Sequence, residues 1–484
     1  MKKIGFCLLC LFLWMQASVF AAGNAVLNDV RFGASKNRIV FDLSAIPSYN
    51  AVSEEQGERI ILDLDGIVDC SKSKPVMHSN LIKKVSFEPK PNGMRVVIDL
   101  TRKASYAIHT LKNPQRVYIE FKEQGTEQKG KQAQPSQTQG KDWPVGKEQR
   151  QESHPAEGLS YVKYEKMTPA GRVTAYALTA DKKKYDVCPA LDGDQVAGLK
   201  TVRAIAAEHH AAAAVNSSYF GNDGTIIGLL KLKDTVVSTC DYNRTGVGRL
   251  PDGNLYFGKA RYMGAVTMGE VSHDVDGINW ERSANALIVY NPFFAETTKT
   301  NPFGQEYVIR NNKVVKISQG NSVIPKDGYV VSVHGTARDA FANVKVGDAA
   351  FLNEDLGEPW NKMDWIQGVG PRLLQDGKVC VTSLEEQFPS DIASGRAPRT
   401  AFGVTDSGDY IFMVVDGRQR HSIGCTLTEL AELMKKFGAV NALNFDGGGS
   451  SEMVLGGKVM NVPSDGRERN VGCALLLLKK EGSR

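Results

Sequence analysis

Apolar and polar residues alternate in short runs along most of this chain, and such runs predict β-strands. Four of them stand out: Arg38-Ile39-Val40-Phe41-Asp42-Leu43, Arg59-Ile60-Ile61-Leu62-Asp63-Leu64, Arg95-Val96-Val97-Ile98-Asp99-Leu100 and Arg116-Val117-Tyr118-Ile119-Glu120-Phe121. The third repeats the first and the fourth repeats the second at an offset of 57 residues, which also separates Tyr49 from Tyr106. Both copies are rich in β-branched residues and carry polar turns such as Pro91-Asn92-Gly93. Two such units predict a small all-β sandwich over residues 25–122, each copy burying the other's apolar face.

The pattern then breaks. From 123 to 158 Gln, Lys, Glu, Gly and Ser dominate, and Trp143 and Val145 are nearly the only large apolar residues. A stretch this polar buries too little surface to offset its chain entropy, so it is expected to be a flexible linker. From 159 to 482 alternation returns, mixed with helical spacing. Val196, Leu199, Val202, Ile205 and Ala206 suggest one helical face, followed by the apolar strand 211–215. Thr426-Leu427-Thr428-Glu429 reads as a capping box, and Leu430, Leu433, Met434 and Phe437 continue one stripe to Gly438. The expected architecture is multidomain, the sandwich joined through the linker to an α+β catalytic domain.

Composition changes little in this picture. At 484 residues the chain is too long for one core. A net charge of +5, spread over 59 basic and 54 acidic residues with no basic run interleaved with aromatics, gives no footprint for nucleic acid. The N-terminus matters more. Lys2 and Lys3, the apolar stretch 4–15 and Val19-Phe20-Ala21 predict a signal peptide over 1–21, with a retained anchor as the alternative. No later segment is apolar for the length of a membrane span. The expected location is therefore exported, periplasmic or cell-envelope associated. Cleavage would leave Cys70, Cys188, Cys240, Cys380, Cys425 and Cys473, none in a CxxC spacing. Cys70 stands alone in its domain, so at least one of the other five is expected to be unpaired as well. The eight histidines form no HxxEH, HExxH or HxH pattern, which argues against zinc chemistry.

Three clusters interrupt apolar strands. Asn444-Phe445-Asp446-Gly447-Gly448-Gly449-Ser450-Ser451 is the most specific. Adjacent glycines let backbone amides converge and a ligand come close, as an anion such as phosphate requires. A glycine run alone is a tight turn; the adjoining acid and serines shift that reading towards a site. No lysine follows the glycines, so a P-loop is excluded. In the second cluster, Arg396-Ala397-Pro398-Arg399-Thr400-Ala401, an arginine enters an apolar strand, either to grip phosphate oxygens or to pair with Asp446 or Asp416. In the third, Asn216-Ser217-Ser218-Tyr219-Phe220, Asn216 offers a sugar-hydroxyl partner and Tyr219 a stacking ring, although alone it is only a strand end.

As an ordered set these clusters resemble the phosphodiester glycosidase family, over about residues 160–480. The resemblance rests on Asn216 to Phe220, Gly368-Val369-Gly370-Pro371-Arg372-Leu373, Pro398 to Ala401, Asp416-Gly417-Arg418, the Thr426–Phe437 helix, Leu443 to Ser451, and Pro463 through Arg469 to Leu475. Ser217 and Ser218 stand where the family often has glycines, and Gly472-Cys473 replaces a more polar pair; both departures bear on the sugar pocket. Residues 25–122 resemble the AMIN domain, which places envelope proteins at cell-wall glycan.

The resemblance implies a hydrolase that cleaves the glycosidic bond of a sugar-1-phosphodiester in a cell-surface glycan or glycoconjugate. Asp446 would be nucleophile or base, with Asp416 the second carboxylate. Arg399 and Arg418 would hold phosphate oxygens, aided by the amides of Gly447, Gly448, Gly449 and Ser450. Asn216 would orient sugar hydroxyls, Tyr219 would stack on the ring, and Arg469 is a further anion ligand. Cell-wall or surface glycan, met through the AMIN-like domain, is the expected macromolecular partner. No cofactor is called for, while Asp446, Asp416 and Asp465 offer hard oxygen ligands for a divalent cation. Two rival classes are a non-catalytic polysaccharide-binding or exopolysaccharide export protein, and a peptidoglycan amidase, against which the missing zinc pattern counts.

Overall fold

The computed structural model describes residues 25–32, 38–54, 58–69, 81–90, 93–102, 104–112, 115–123, 143–196, 198–239 and 242–480. They divide into two compact units, parting after residue 138. The expected signal peptide, Cys70, Cys240 and linker residues 124–142 lie outside the described residues.

In the first unit a five-stranded and a four-stranded sheet share one core that includes Ile39, Phe41, Ile60, Leu62, Val96, Ile98, Val117 and Ile119. The duplication acquires a structural meaning here. Arg38–Leu43 pairs antiparallel with Gln115–Glu123, and Arg59–Asp65 with Gly93–Leu100, so each pair joins one run from each copy. Every run has arginine first and an acid fifth. Antiparallel pairing therefore sets each arginine opposite an acid: Arg38 with Glu120, Arg116 with Asp42, Arg59 with Asp99, and Arg95 with Asp63. Arg38–Glu120 and Arg59–Asp99 close at 2.7 Å and Arg95–Asp63 at 2.8 Å. The Arg95 guanidinium holds the Asp63 carboxyl at about 2. A slip of one residue would break these pairs and turn the buried isoleucines outward, so charge and hydrophobic pattern specify one register.

The second unit is mostly β, not the α+β domain expected. Its helices among the described residues are Val202–Glu208, Gly335–Ala340, Ser390–Ala393 and Leu427–Lys436, and only the last exceeds seven residues. The stripe beginning at Val196 overstates the first of them. Thr201 caps it, accepting from the Ala204 amide at 3.2 Å, so Val196 and Leu199 precede the helix. Val196 is buried all the same, which is why its spacing imitates a helical face. The capping box at Thr426 and Glu429 is present as read.

The linker expectation also needs correction at its C-terminal end. Glu148–Ser153 is a strand, paired throughout with Leu159–Thr168 although every side chain in it is exposed. An edge strand held by backbone bonds needs no apolar face, and a polar edge resists pairing with other chains. It borders an eight-stranded sheet whose middle strands are Gly171–Ala180, Tyr410–Val415, Arg399–Val404 and Asn441–Asn444. One face of this sheet, with Leu178, Phe402 and Phe412, shares a core with a five-stranded sheet carrying Ala213–Asn216, Met453–Leu455 and Ala474–Lys479. The other face, with Ala177, Ala401 and Met413, is covered by Leu427–Lys436. A further group of strands within residues 263–355 packs around Leu287, Tyr307, Val331 and Phe341. Strands of the two main sheets end together, and their ends carry the sequence clusters.

Candidate functional site

The strand Asn441–Asn444 is buried from Ala442 onward, as is Phe445 after it, and the chain then turns through the glycine loop. The Asp446 amide donates to the Ser217 carbonyl at 2.9 Å, and Asn216 Nδ2 donates to the Asp446 carbonyl at 2.7 Å. The aspartate backbone is thus fastened on both sides to the neighbouring strand end. Its carboxyl accepts the Gly447 amide at 2.9 Å. Burial pushes that carboxyl up to about 6, against the opposing pull of the Ser450 hydroxyl, the Gly447 amide and the Arg469 charge. Glycine is required next to it: a Cβ on Gly447 would stand 2.8 Å from the Pro398 carbonyl oxygen.

Three of the four loop amides expected to cradle an anion are already bonded within the protein. Gly447 N–H goes to the aspartate's own carboxyl, Gly448 N–H to the Pro398 carbonyl, and the Ser450 and Ser451 amides to the Gly447 and Gly448 carbonyls. Cationic groups lie over the loop instead. Arg418 is exposed, its backbone is left-handed at φ +59°, and its guanidinium lies 3.4 Å from where a Gly448 Cβ would be. It has no hydrogen-bond or ion-pair partner among the described residues. A non-glycine residue held in this conformation carries strain of about 1 kcal/mol, which the surroundings must impose. Arg469 approaches Gly449 while paired to Asp465 at 2.6 Å, and it reaches the Ser450 hydroxyl at 3.5 Å.

Four predicted site residues are supports beneath this surface. Asn216 is 1% exposed; its Oδ1 accepts Thr400 Oγ1 at 2.7 Å and the Glu452 amide at 3.1 Å. It clamps three segments and does not face a sugar. Arg399 is 3% exposed and donates to the carbonyls of Ile392, Gly395 and Cys425, bracing the turn before its strand rather than gripping phosphate. Asp416 is 1% exposed, and its carboxylate accepts from Tyr176 OH, His421 Nε2, Asn461 Nδ2 and the Val462 amide. A carboxylate saturated with donors holds a junction and is unsuited to be a second reacting acid. Tyr219 is buried, its hydroxyl engaged with Asn444 Nδ2 and the Gly370 carbonyl, so its ring is wall rather than stacking platform.

Sequence reading missed two titratable groups. His421, half-buried, presents Nε2 to Asp416 Oδ2 at 2.8 Å, an imidazole oriented by a buried carboxylate. Glu452, directly after the serines, is buried; burial and the neighbouring Glu468 carboxyl push it up to about 8. The run Gly-Ser-Ser-Glu was visible, but not that its acid folds inward. Asp446, Asp416 and Asp465 do not gather: no group of three or more His, Cys, Asp or Glu side chains among the described residues is placed to hold a metal ion. Cys188, Cys380, Cys425 and Cys473 are free thiols.

Comparisons with known proteins bear on this arrangement. Residues 303–478 match the sequence model of the phosphodiester glycosidase family, and residues 29–100 that of the AMIN domain. N-acetylglucosamine-1-phosphodiester alpha-N-acetylglucosaminidase of Mus musculus is 26% identical over 179 residues, 34% of this chain and 34% of that one. Its Homo sapiens counterpart is 41% identical over 109 residues, 22% and 21% of the two chains. The SPbeta prophage-derived protein YomE of Bacillus subtilis is 42% identical over 74 residues, 15% of this chain and 12% of the other. The chain thus spans about a third or less of the length of these curated relatives. A solved structure from Synechocystis superposes with a TM-score of 0.62 at 21% identity, covering 95% of this chain and 81% of that one. Another, from Burkholderia pseudomallei K96243, gives 0.59 at 18% identity, covering 70% and 98%. These two likenesses speak to fold alone. On the sequence matches, the chain carries an AMIN domain in its first unit and, in its second, a domain of the phosphodiester glycosidase family.

Proposed function

We propose that the second unit hydrolyses the bond between a sugar's anomeric carbon and a phosphodiester, and that the first unit holds it at envelope glycan after export. The observation that carries the reading is the buried Asp446 carboxyl at the head of the glycine loop together with a strained Arg418, without a hydrogen-bond or ion-pair partner among the described residues, whose guanidinium lies over Gly448. An oxocarbenium-like sugar needs negative charge beside it, which Asp446 supplies once ionised above pH about 6. The departing phosphate monoester is already a fair leaving group, and Arg418 over Gly448, with Arg469 at Gly449, neutralises the charge it gathers. A glycan-binding first unit raises the local concentration of the second at a surface that displays such diesters.

The test is to incubate the full chain with chromogenic and nucleotide-linked sugar phosphodiesters, with and without chelator, and measure free sugar. Release by the wild type and loss in Asp446→Asn is expected. Binding of glycan without release of sugar would return the chain to the non-catalytic class.

A further inference from the structure

Arg244 is 8% exposed, yet neither an ion-pair nor a hydrogen-bond partner meets its side chain among the described residues, and its buried Nε is unpartnered. Its guanidinium lies instead among aromatic rings, 4.1 Å from the centroid of Phe388, 4.9 Å from Tyr242 and 5.9 Å from Tyr219. Glu386, two residues before Phe388, is already engaged: it accepts from the Thr245 amide and hydroxyl, the Thr382 hydroxyl and the Arg372 amide. Buried charge without a counter-ion is costly, and aromatic faces return only part of that cost. Natural chains retain such a group where a ligand completes it.

Its position relates it to the site above. Tyr219, which carries one face of the cage, reaches with its hydroxyl the carbonyls of Gly370 and Phe445, the latter adjoining Asp446. Burial pushes this hydroxyl up, with Asp446 reinforcing the rise and Arg244 opposing it, so both charges act at that one atom. Phe388 packs against Gly370, within the Gly368–Leu373 segment.

We infer that Arg244 is an anion-recognising residue on the Tyr219 side of the Asp446 site, holding non-bridging oxygens of a substrate phosphate. Arg244 then faces the same group that Arg418 meets from the glycine-loop side. The planar fork suits two phosphate oxygens, and the aromatic cage keeps it from swinging away, so the pocket selects charged diesters over neutral glycosides. This rests on the function proposed above for the same site.

The full chain, wild type and Arg244→Gln, is titrated with inorganic phosphate by calorimetry, and kcat/KM is measured on a sugar phosphodiester and on the uncharged aryl glycoside of the same sugar. Expected is a loss on the order of 10- to 100-fold in phosphate affinity and in kcat/KM on the diester, with the neutral substrate unchanged. Equal phosphate affinity in the two proteins, no phosphate binding by the wild type, or equal losses on both substrates would overturn the assignment. Should Arg244→Gln not fold, Arg244→Lys replaces it: affinity lowered with the fold kept supports the role, and unchanged affinity refutes it. If the wild type cleaves no diester, the proposed function fails, and the phosphate titration alone then decides for or against Arg244.

Discussion

Replacing Asp446 by asparagine should make the second unit more stable at alkaline pH while abolishing its activity. Burial lifts this carboxyl from 3.8 to about 6. The folded chain therefore holds the proton more tightly than the unfolded chain, and ionising the group is harder in the fold. Above pH 6 that difference disfavours the native state by about 3 kcal/mol, since each tenfold change in proton affinity is worth about 1.4 kcal/mol. Asparagine fills the same volume, keeps an acceptor for the Gly447 amide and never ionises. At pH 8 the variant should thus gain about 3 kcal/mol, or roughly 4 °C in melting temperature for a unit of this size. The gain should shrink to about 1 kcal/mol at pH 4.5 and vanish below the unfolded pKa. Differential scanning calorimetry of the full chain at a series of pH values, following the transition of the larger unit, provides the measurement. A variant no more stable than wild type at pH 8, or a gain that persists undiminished at pH 4, would refute the claim that burial raises Asp446.

The same carboxyl should govern the pH–rate profile: kcat/KM is expected to fall about tenfold per pH unit below 6, because the reaction needs the ionised form. Asn216→Ala leaves the Thr400 hydroxyl, the Glu452 amide and the Asp446 carbonyl unmatched, so urea unfolding should show a loss of about 3 kcal/mol. Gly447→Ala drives a methyl against the Pro398 carbonyl oxygen; it should lower kcat/KM at least roughly tenfold by displacing Asp446, a scale typical of small misplacements of reacting groups. Arg418→Gln should lower kcat/KM on a diester by about 10- to 100-fold and leave the melting temperature unchanged, because it breaks no hydrogen bond or ion pair among the described residues.

What the sequence revealed and what it hid follow a physical division. Strands declared themselves through alternation and the 57-residue offset announced two like units, whereas the register that sets each run's arginine opposite an acid appears only in the fold. The capping box announced a helix because both of its partners lie within one turn. The structure sets the Arg418 guanidinium over Gly448, two residues after Asp446. The ordered motifs misled about Asn216, Arg399, Asp416 and Tyr219. A residue type shows what a side chain offers, whereas its role depends on how many partners from distant segments face it. Asp416 receives donors from Tyr176 and from Asn461, 240 and 45 residues away, and nothing in its local context signals them. Arg244 was hidden for the opposite reason: among the described residues no acid or acceptor meets its side chain, and its sequence context signals neither its burial nor its ring cage.

Ser217, Ser218 and Cys473, read from the sequence as departures from the family pattern, belong to this second class, because they meet at one point in the fold. Ser217 and Ser218 follow the strand Ala213–Asn216, and Cys473 directly precedes the strand Ala474–Lys479. All three are buried, and all meet one amide: Gln367 Nε2 donates to Ser217 Oγ at 2.6 Å and Ser218 Oγ at 3.1 Å, and it lies 3.6 Å from Cys473 Sγ. Glycines at 217 and 218 would leave that amide buried without its hydroxyl acceptors, at a cost of about 1–3 kcal/mol. A larger polar side chain at 473 would compete for the same space. The serines are therefore tied to Gln367, and their effect reaches the site indirectly, through the Ser217 carbonyl that receives the Asp446 amide. Substitutions here shift the support of the acid rather than the lining of a sugar pocket, so substrate choice has to be sought on the exposed side of the glycine loop and at the arginines that face it.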